Sequence, residues 1–189
     1  AYSRAKGRQS TVIANNVRDS NYSTASGDRS QVYGAETTVS GNNSVAIGDT
    51  NTVAGARTYA IGNNINVAAG VDDALAFGTK AAVGGANAIA LGNTASAAIN
   101  NAIAVGQASS STGNSAIAIG TKASAQGDSA LAHGVEAQAI AQSSTAIGFR
   151  AKAQGYEQIS IGSNAGNSSP ANAENYGAVF IGRHAGSGN

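Results

Sequence analysis

The chain contains no cysteine, methionine or tryptophan and a single proline. Without cysteine there is no disulfide scaffold, no thiol nucleophile and no thiolate metal site, although stiff repeat folds do without such staples in any compartment. Aromatic residues make up 5% and charged residues 11%, and the 42% hydrophobic fraction is mostly alanine, so a conventional globular core is hard to assemble from it. The net charge of +1 and this apolar content together miss both halves of the disorder signature. Order must therefore come from repetition. No Lys/Arg block or basic stripe is present, which removes the main electrostatic drive toward nucleic acid or an anionic bilayer. No signal-peptide pattern opens the chain and no apolar run is long enough to span a bilayer. The segment is expected to be soluble without inserting into a membrane itself, with any export signal or anchor lying outside it.

Glycine is plentiful, with 25 residues, and it is periodic. Gly34, Gly48 and Gly62 are spaced by 14, as are Gly78, Gly92, Gly106, Gly120, Gly134, Gly148 and Gly162, with a single step of 16 between Gly62 and Gly78. A second set runs half a repeat out of phase: Gly27, Gly41, Gly55, Gly70, Gly85, Gly113, Gly127 and Gly155, with Ile99 and Ala141 in the missing places. Two turns per unit is the natural reading.

Before each glycine of the first set lies a short apolar segment, such as Ala88-Ile89-Ala90-Leu91, Ala102-Ile103-Ala104-Val105 or Ala116-Ile117-Ala118-Ile119. Large aliphatics alternate with alanine. That period of two predicts an inner strand, and because both faces are apolar it should be buried on both sides. The other half of the repeat, as in Thr121-Lys122-Ala123-Ser124-Ala125-Gln126-Gly127, alternates alanine with polar residues. It predicts an outer wall with one wet face that contributes only alanine to the interior. A helix is excluded because a glycine every half-repeat would cost about 1 kcal/mol at every second turn. A unit this short cannot bury its own strand, so coils must stack at about 4.8 Å into a rod of roughly 50 Å. Ile47, Ile61, Ile89, Leu91, Ile103, Val105, Ile117, Ile119, Leu131, Ile147 and Ile161 are expected to face inward and to pack an oligomer, since one strand face needs a partner from outside its own coil. Composition leaves two-fold and three-fold closure open.

The ends depart from the pattern. Ser10-Thr11-Val12-Ile13-Ala14 resembles one more inner strand, with Ala14 lying 20 residues before Gly34, and another 20 separate Gly162 from Gly182. The second insertion holds Asn167-Ser168-Ser169-Pro170-Ala171-Asn172, a polar loop signal. The expected organisation is one domain over 1–189: an atypical coil at 1–29, regular repeats at 30–166 and a decorated coil at 163–189, the two ends acting as caps.

Asn43-Ser44-Val45-Ala46-Ile47-Gly48, Asn114-Ser115-Ala116-Ile117-Ala118-Ile119-Gly120 and Thr145-Ala146-Ile147-Gly148 resemble the Asn-Ser-Val-Ala-Ile-Gly repeat of YadA-like heads, which belong to the trimeric autotransporter adhesins. The likeness runs continuously over residues 30–166 and more loosely over the flanks. It implies an all-β fold, a left-handed parallel β-roll in a homotrimer. It also implies display at the bacterial cell surface, outside the outer membrane, on a stalk and anchor beyond this segment. Heads of this family bind collagen, fibronectin, laminin or other cells, so matrix proteins or cell-surface receptors are the implied partners. Fold likeness does not transmit a particular ligand.

Lys80, Lys122, Glu136 and Arg150 each lie two residues past a repeat glycine, and stacking places Lys122, Glu136 and Arg150 on adjacent coils, with Lys152 on the same wet face. This charged stripe is either a solvated ladder or a ligand contact multiplied by avidity. His133 takes the position that Ile119 and Ile147 hold and is expected to be a buried, satisfied imidazole in an apolar layer, or to gather near a symmetry axis and soften the assembly on protonation. His184, near Glu174 and Tyr176, is expected at the surface of the capping region. Gly84-Gly85 is a pair of repeat turns and not a phosphate loop, because no strand, loop and helix accompany it.

No cofactor, metal or catalytic constellation is expected. A left-handed β-helix acyltransferase would need three-sided coils near 18 residues, against the 14 here. A phage tail-fibre segment needs the same stiffness and remains an alternative, to be separated by the flanking sequence. An ice-binding solenoid wants a flat threonine array, which Thr79, Thr94 and Thr121 do not form.

Overall fold

The computed structural model describes residues 3–14, 22–167 and 176–186. Over these residues the chain is a parallel β-solenoid. Each coil carries one three-residue strand and, in most coils, one two-residue strand. The three-residue strands form a single twelve-stranded sheet from Thr11–Ile13 to Val179–Ile181. The shorter strands form a sheet of five, Arg4–Ala5 to Asn66–Val67, and a sheet of six, Ala82–Val83 to Lys152–Ala153. In the regular coils, pairing joins residues 14 apart, as in Ile103 to Ile117 and Ala104 to Ala118. The two long steps keep this register: Val12 pairs with Val32, and Ser160 with Phe180. The strands on either side of each end insertion therefore stay in register. Of the C-terminal polar loop, residues 168–172 lie outside the described residues, as does Glu174.

Alternation decides what each strand buries, because successive side chains of a strand point to opposite faces. The middle residue of each three-residue strand lines the interior: Val32, Ala46, Ala60, Ala76, Ala90, Ala104, Ala118, Ala132 and Ala146 are fully buried. The large aliphatics on either side of it therefore point away from the roll. This corrects the inward orientation expected for Ile47, Ile61, Ile89, Leu91, Ile103, Val105, Ile117, Ile119, Leu131, Ile147 and Ile161. They line the opposite face of the sheet, half-buried, with Ile47 and Leu91 still 41% and 38% exposed. The physical reason is space, since two walls closed by tight turns leave room for only a few small side chains in each coil, as with Ala116, Ala118, Ala123 and Ala125.

The opposite wall is also not uniformly alanine. Val39, Val53 and Val67 fill the interior of the N-terminal coils and Ala97, Ala125, Ala139 and Ala153 that of the C-terminal coils. Buried polar residues complete the N-terminal half: Thr37 Oγ1 donates to the Gly48 carbonyl (2.8 Å), Ser44 Oγ to that of Gly55 (2.8 Å) and Asn51 Nδ2 to that of Gly62 (2.7 Å). Each of these side chains also accepts a backbone N–H from the next coil, as Thr37 Oγ1 does from Asn51. Among the described residues no buried side-chain nitrogen or oxygen lacks a partner.

The turns rest on backbone geometry. Among the described residues twenty-two non-glycine residues have φ between 52° and 59°, one at each of the two turns in successive coils. Their N–H groups continue the ladder between coils: Lys122 donates to the Gln107 carbonyl and Glu136 to that of Thr121, both at 2.9 Å. Glycine is required at the preceding turn position. Gly120 has φ of 127°, and a Cβ there would lie 2.5 Å from the carbonyl oxygen of Gly134. In the second glycine column Ile99 and Ala141 hold the expected places, beneath Gly85 and Gly127. Gly70 does not. The carbonyl of Val71 lies where the next turn glycine's would, 2.0 Å from a Cβ built on Gly55, whereas nothing lies within 4 Å of a Cβ on Gly70. The two additional residues of the 16-residue step are thus an outward bulge before Val71, and the shorter-strand wall divides there into its two sheets.

Candidate functional site

Two surfaces carry chemistry. The first is the outward face of the twelve-stranded sheet, which presents two parallel columns. One runs Val45, Tyr59, Leu75, Ile89, Ile103, Ile117 and Leu131, and the other Ile47, Ile61, Phe77, Leu91, Val105 and Ile119. Tyr59 is 50% and Phe77 47% exposed. An uncovered apolar strip of this length marks an association surface. His133 interrupts the second column, paired in register with Ile119 and Ile147. It is exposed in the single chain. The layer it belongs to lies outside the coil.

The second surface is an open groove of about 470 Å³ lined by Lys122, Glu136, Gln138, Arg150, Lys152 and Asn167. The left-handed turn places Lys122, Glu136 and Arg150 one above another in consecutive coils (φ 56°, 58° and 52°). Gln138 and Lys152 are paired residues of the neighbouring two-residue strands. Arg150 Nε donates to Glu136 Oε2 at 2.7 Å, and the same guanidinium carbon stands 4.8 Å from the centre of the Phe149 ring. The Arg150 hydrogen bond, reinforced by its charge and by that of Lys122, holds the Glu136 carboxyl below the usual carboxylate range.

The structure thus brings together four of the five residues of the expected charged stripe. Lys80 stands in the same turn column but three coils from Lys122, with Thr94 and Ala108 between them. Sequence reasoning did not single out Gln138 or Asn167. The 14-residue step from Gln138 to Lys152 was available as a signal, whereas Asn167 enters from the edge of an insertion and left none. A second groove, of about 370 Å³, lies at the N-terminal end between Arg8, Gln9, Asp28 and Arg29. Within it Arg8 donates to Asp28 Oδ2 through both Nε (3.0 Å) and a terminal nitrogen (2.7 Å), and Arg29 Nε donates to Asn43 Oδ1. His184 is exposed at the last coil, and Tyr176 stacks on Tyr156 with ring centres 4.9 Å apart. Among the described residues no group of three or more His, Cys, Asp or Glu could hold a metal ion.

A parallel solenoid of near-identical coils, with one aliphatic face uncovered and a shallow polar groove on its wall, is a repeat-built interaction module. The family described as YadA head domain repeat (2 copies) matches at residues 25–51, 40–64, 72–95, 84–109, 100–123, 111–137, 125–151 and 139–165. The chain belongs to this family, and its function is accordingly of the adhesin type. The interval between the second and third matches, 65–71, contains the bulge before Val71. No curated protein sequence matches the chain.

Proposed function

We propose that the chain is the non-enzymatic adhesive head of a trimeric autotransporter displayed on a bacterial surface. Three copies join through the aliphatic columns, and the outer walls contact host extracellular matrix or cell-surface receptors. The observation that carries this reading is the uncovered strip from Val45 to Leu131, on a chain whose coils match the head repeat. Joining three copies leaves three outer walls free, so weak contacts along each wall add by avidity. Collagen, fibronectin and laminin are the partners to be tried first. The charged groove is the candidate contact, because it gathers three cations and two amides where most strands of the wall present threonine or serine outward.

The test is a solid-phase binding screen against collagens, fibronectin, laminin and host glycans, using material first shown to be trimeric. Saturable binding to one of them, weakened by joint Arg150→Ser and Lys152→Ser substitution, supports the reading. Trimeric material that binds none of them and no host cell overturns it.

A further inference from the structure

We propose that the groove between Lys122 and Lys152 binds an acidic polysaccharide chain laid along the solenoid axis; this rests on the adhesive reading above and names the ligand class of one site. The argument begins with which charges are free. Glu136 and Arg150 neutralise each other at 2.7 Å. Among the described residues neither Lys122 nor Lys152 has a carboxylate within ion-pairing distance. Two unneutralised ammonium groups therefore flank the pair, one on the turn column and one on the strand column. They are two coils apart, a separation of about 10 Å along the axis at the usual inter-strand step, comparable to the disaccharide repeat of a glycosaminoglycan.

All six lining residues are charged or amide-bearing, so the groove offers hydrogen bonds and charge but no apolar anchor pocket of the kind a peptide ligand needs. Gln138 and Asn167 both donate and accept, which suits sugar hydroxyls. Phe149, the chain neighbour of the groove residue Arg150, remains 46% exposed with that guanidinium over one face of its ring, leaving an apolar surface for the C–H face of a pyranose.

The test is surface plasmon resonance of the full chain over immobilised heparin, hyaluronan and neutral dextran. Binding to heparin, hyaluronan or both, with none to dextran, is expected, and the two acidic arms distinguish sulfate from carboxylate recognition. The double variant Lys122→Ser/Lys152→Ser should weaken binding about tenfold, and Lys122→Arg/Lys152→Arg should restore it. Glu136→Gln, which frees Arg150, should tighten it, an effect that a merely structural role for these residues would not produce. Equal binding by the wild type and the serine variant, or equal binding to dextran and heparin, overturns the proposal. Adhesion to matrix proteins that survives in a chain with no polysaccharide binding would end this inference and leave the adhesive head standing.

Discussion

Glu136 and Arg150 occupy the same left-handed turn position in successive coils, and their side chains meet at 2.7 Å. The pair is formed between residues 14 apart in sequence because the solenoid stacks them, and it sets the charge balance of the groove. The Arg150 hydrogen bond is the first cause, and its charge the second, of the lowered Glu136 titration. A carboxylate lowered in the folded state adds stability above its unfolded pKa and loses it as pH falls through the folded value. On a group this exposed the gain is small. Carbon-detected NMR should therefore place the Glu136 midpoint below that of an ordinary glutamate in the wild type and return it upward in Arg150→Ser. An identical midpoint in both proteins would contradict the pairing.

Gly120→Ala should destabilise the roll by about 3 kcal/mol, combining a side chain at positive φ with overpacking against the Gly134 carbonyl. Equilibrium denaturation checks this. Gly177→Ala, which meets nothing within 4 Å although its φ is 64°, should lose only the strain part.

The two halves of the interior should each resist a change of volume, one a loss and the other a gain. Val53→Ala removes two methyl groups from a fully buried site and should cost about 2 kcal/mol through the cavity left behind. Ala118→Val adds them where the opposing wall offers alanine and serine, and should cost about 1–3 kcal/mol through overpacking. The double variant Ala118→Val/Ser111→Ala is the control for a polar contribution, since Ser111 Oγ donates to the Ala116 carbonyl at 2.8 Å.

His133 breaks a column of aliphatics between Ile119 and Ile147. If that column packs against other copies, His133→Ile should raise the melting temperature of the assembly, because it replaces a polar ring in an apolar layer by the residue that holds the same place in the neighbouring coils. An unchanged melting temperature would show that the side chain stays in water.

How much of this was legible in the sequence depends on what marks a position. The strand register followed directly from Gly78 through Gly162, because glycine is required at that turn and recurs at every coil. The residues with positive φ were not legible. Lys122, Glu136, Arg150 and Ala108 share that conformation, yet no residue type signals it, since the stacked backbone and not the side chain imposes it. Gly70 misled because a glycine in the bulge lies one residue from the true turn, where Val71 supplies the stacked carbonyl. Alternation in Ala116-Ile117-Ala118-Ile119 revealed two apolar faces but not which of them the roll encloses. The thinness of the coil assigns the interior to alanine and leaves isoleucine outside. The same thinness explains why the groove was only partly foreseen: its charged members stand in stacked positions, whereas Asn167 comes from an insertion.

That outward isoleucine face is the centre of the account, and solution mass tests it most directly. Size-exclusion chromatography with light scattering on the 18.4 kDa chain should give three times that mass, and Ile117→Asp should dissociate it while the parallel-β circular dichroism is kept. A wild-type chain that is folded, monomeric at micromolar concentration and indifferent to Ile117→Asp would contradict it.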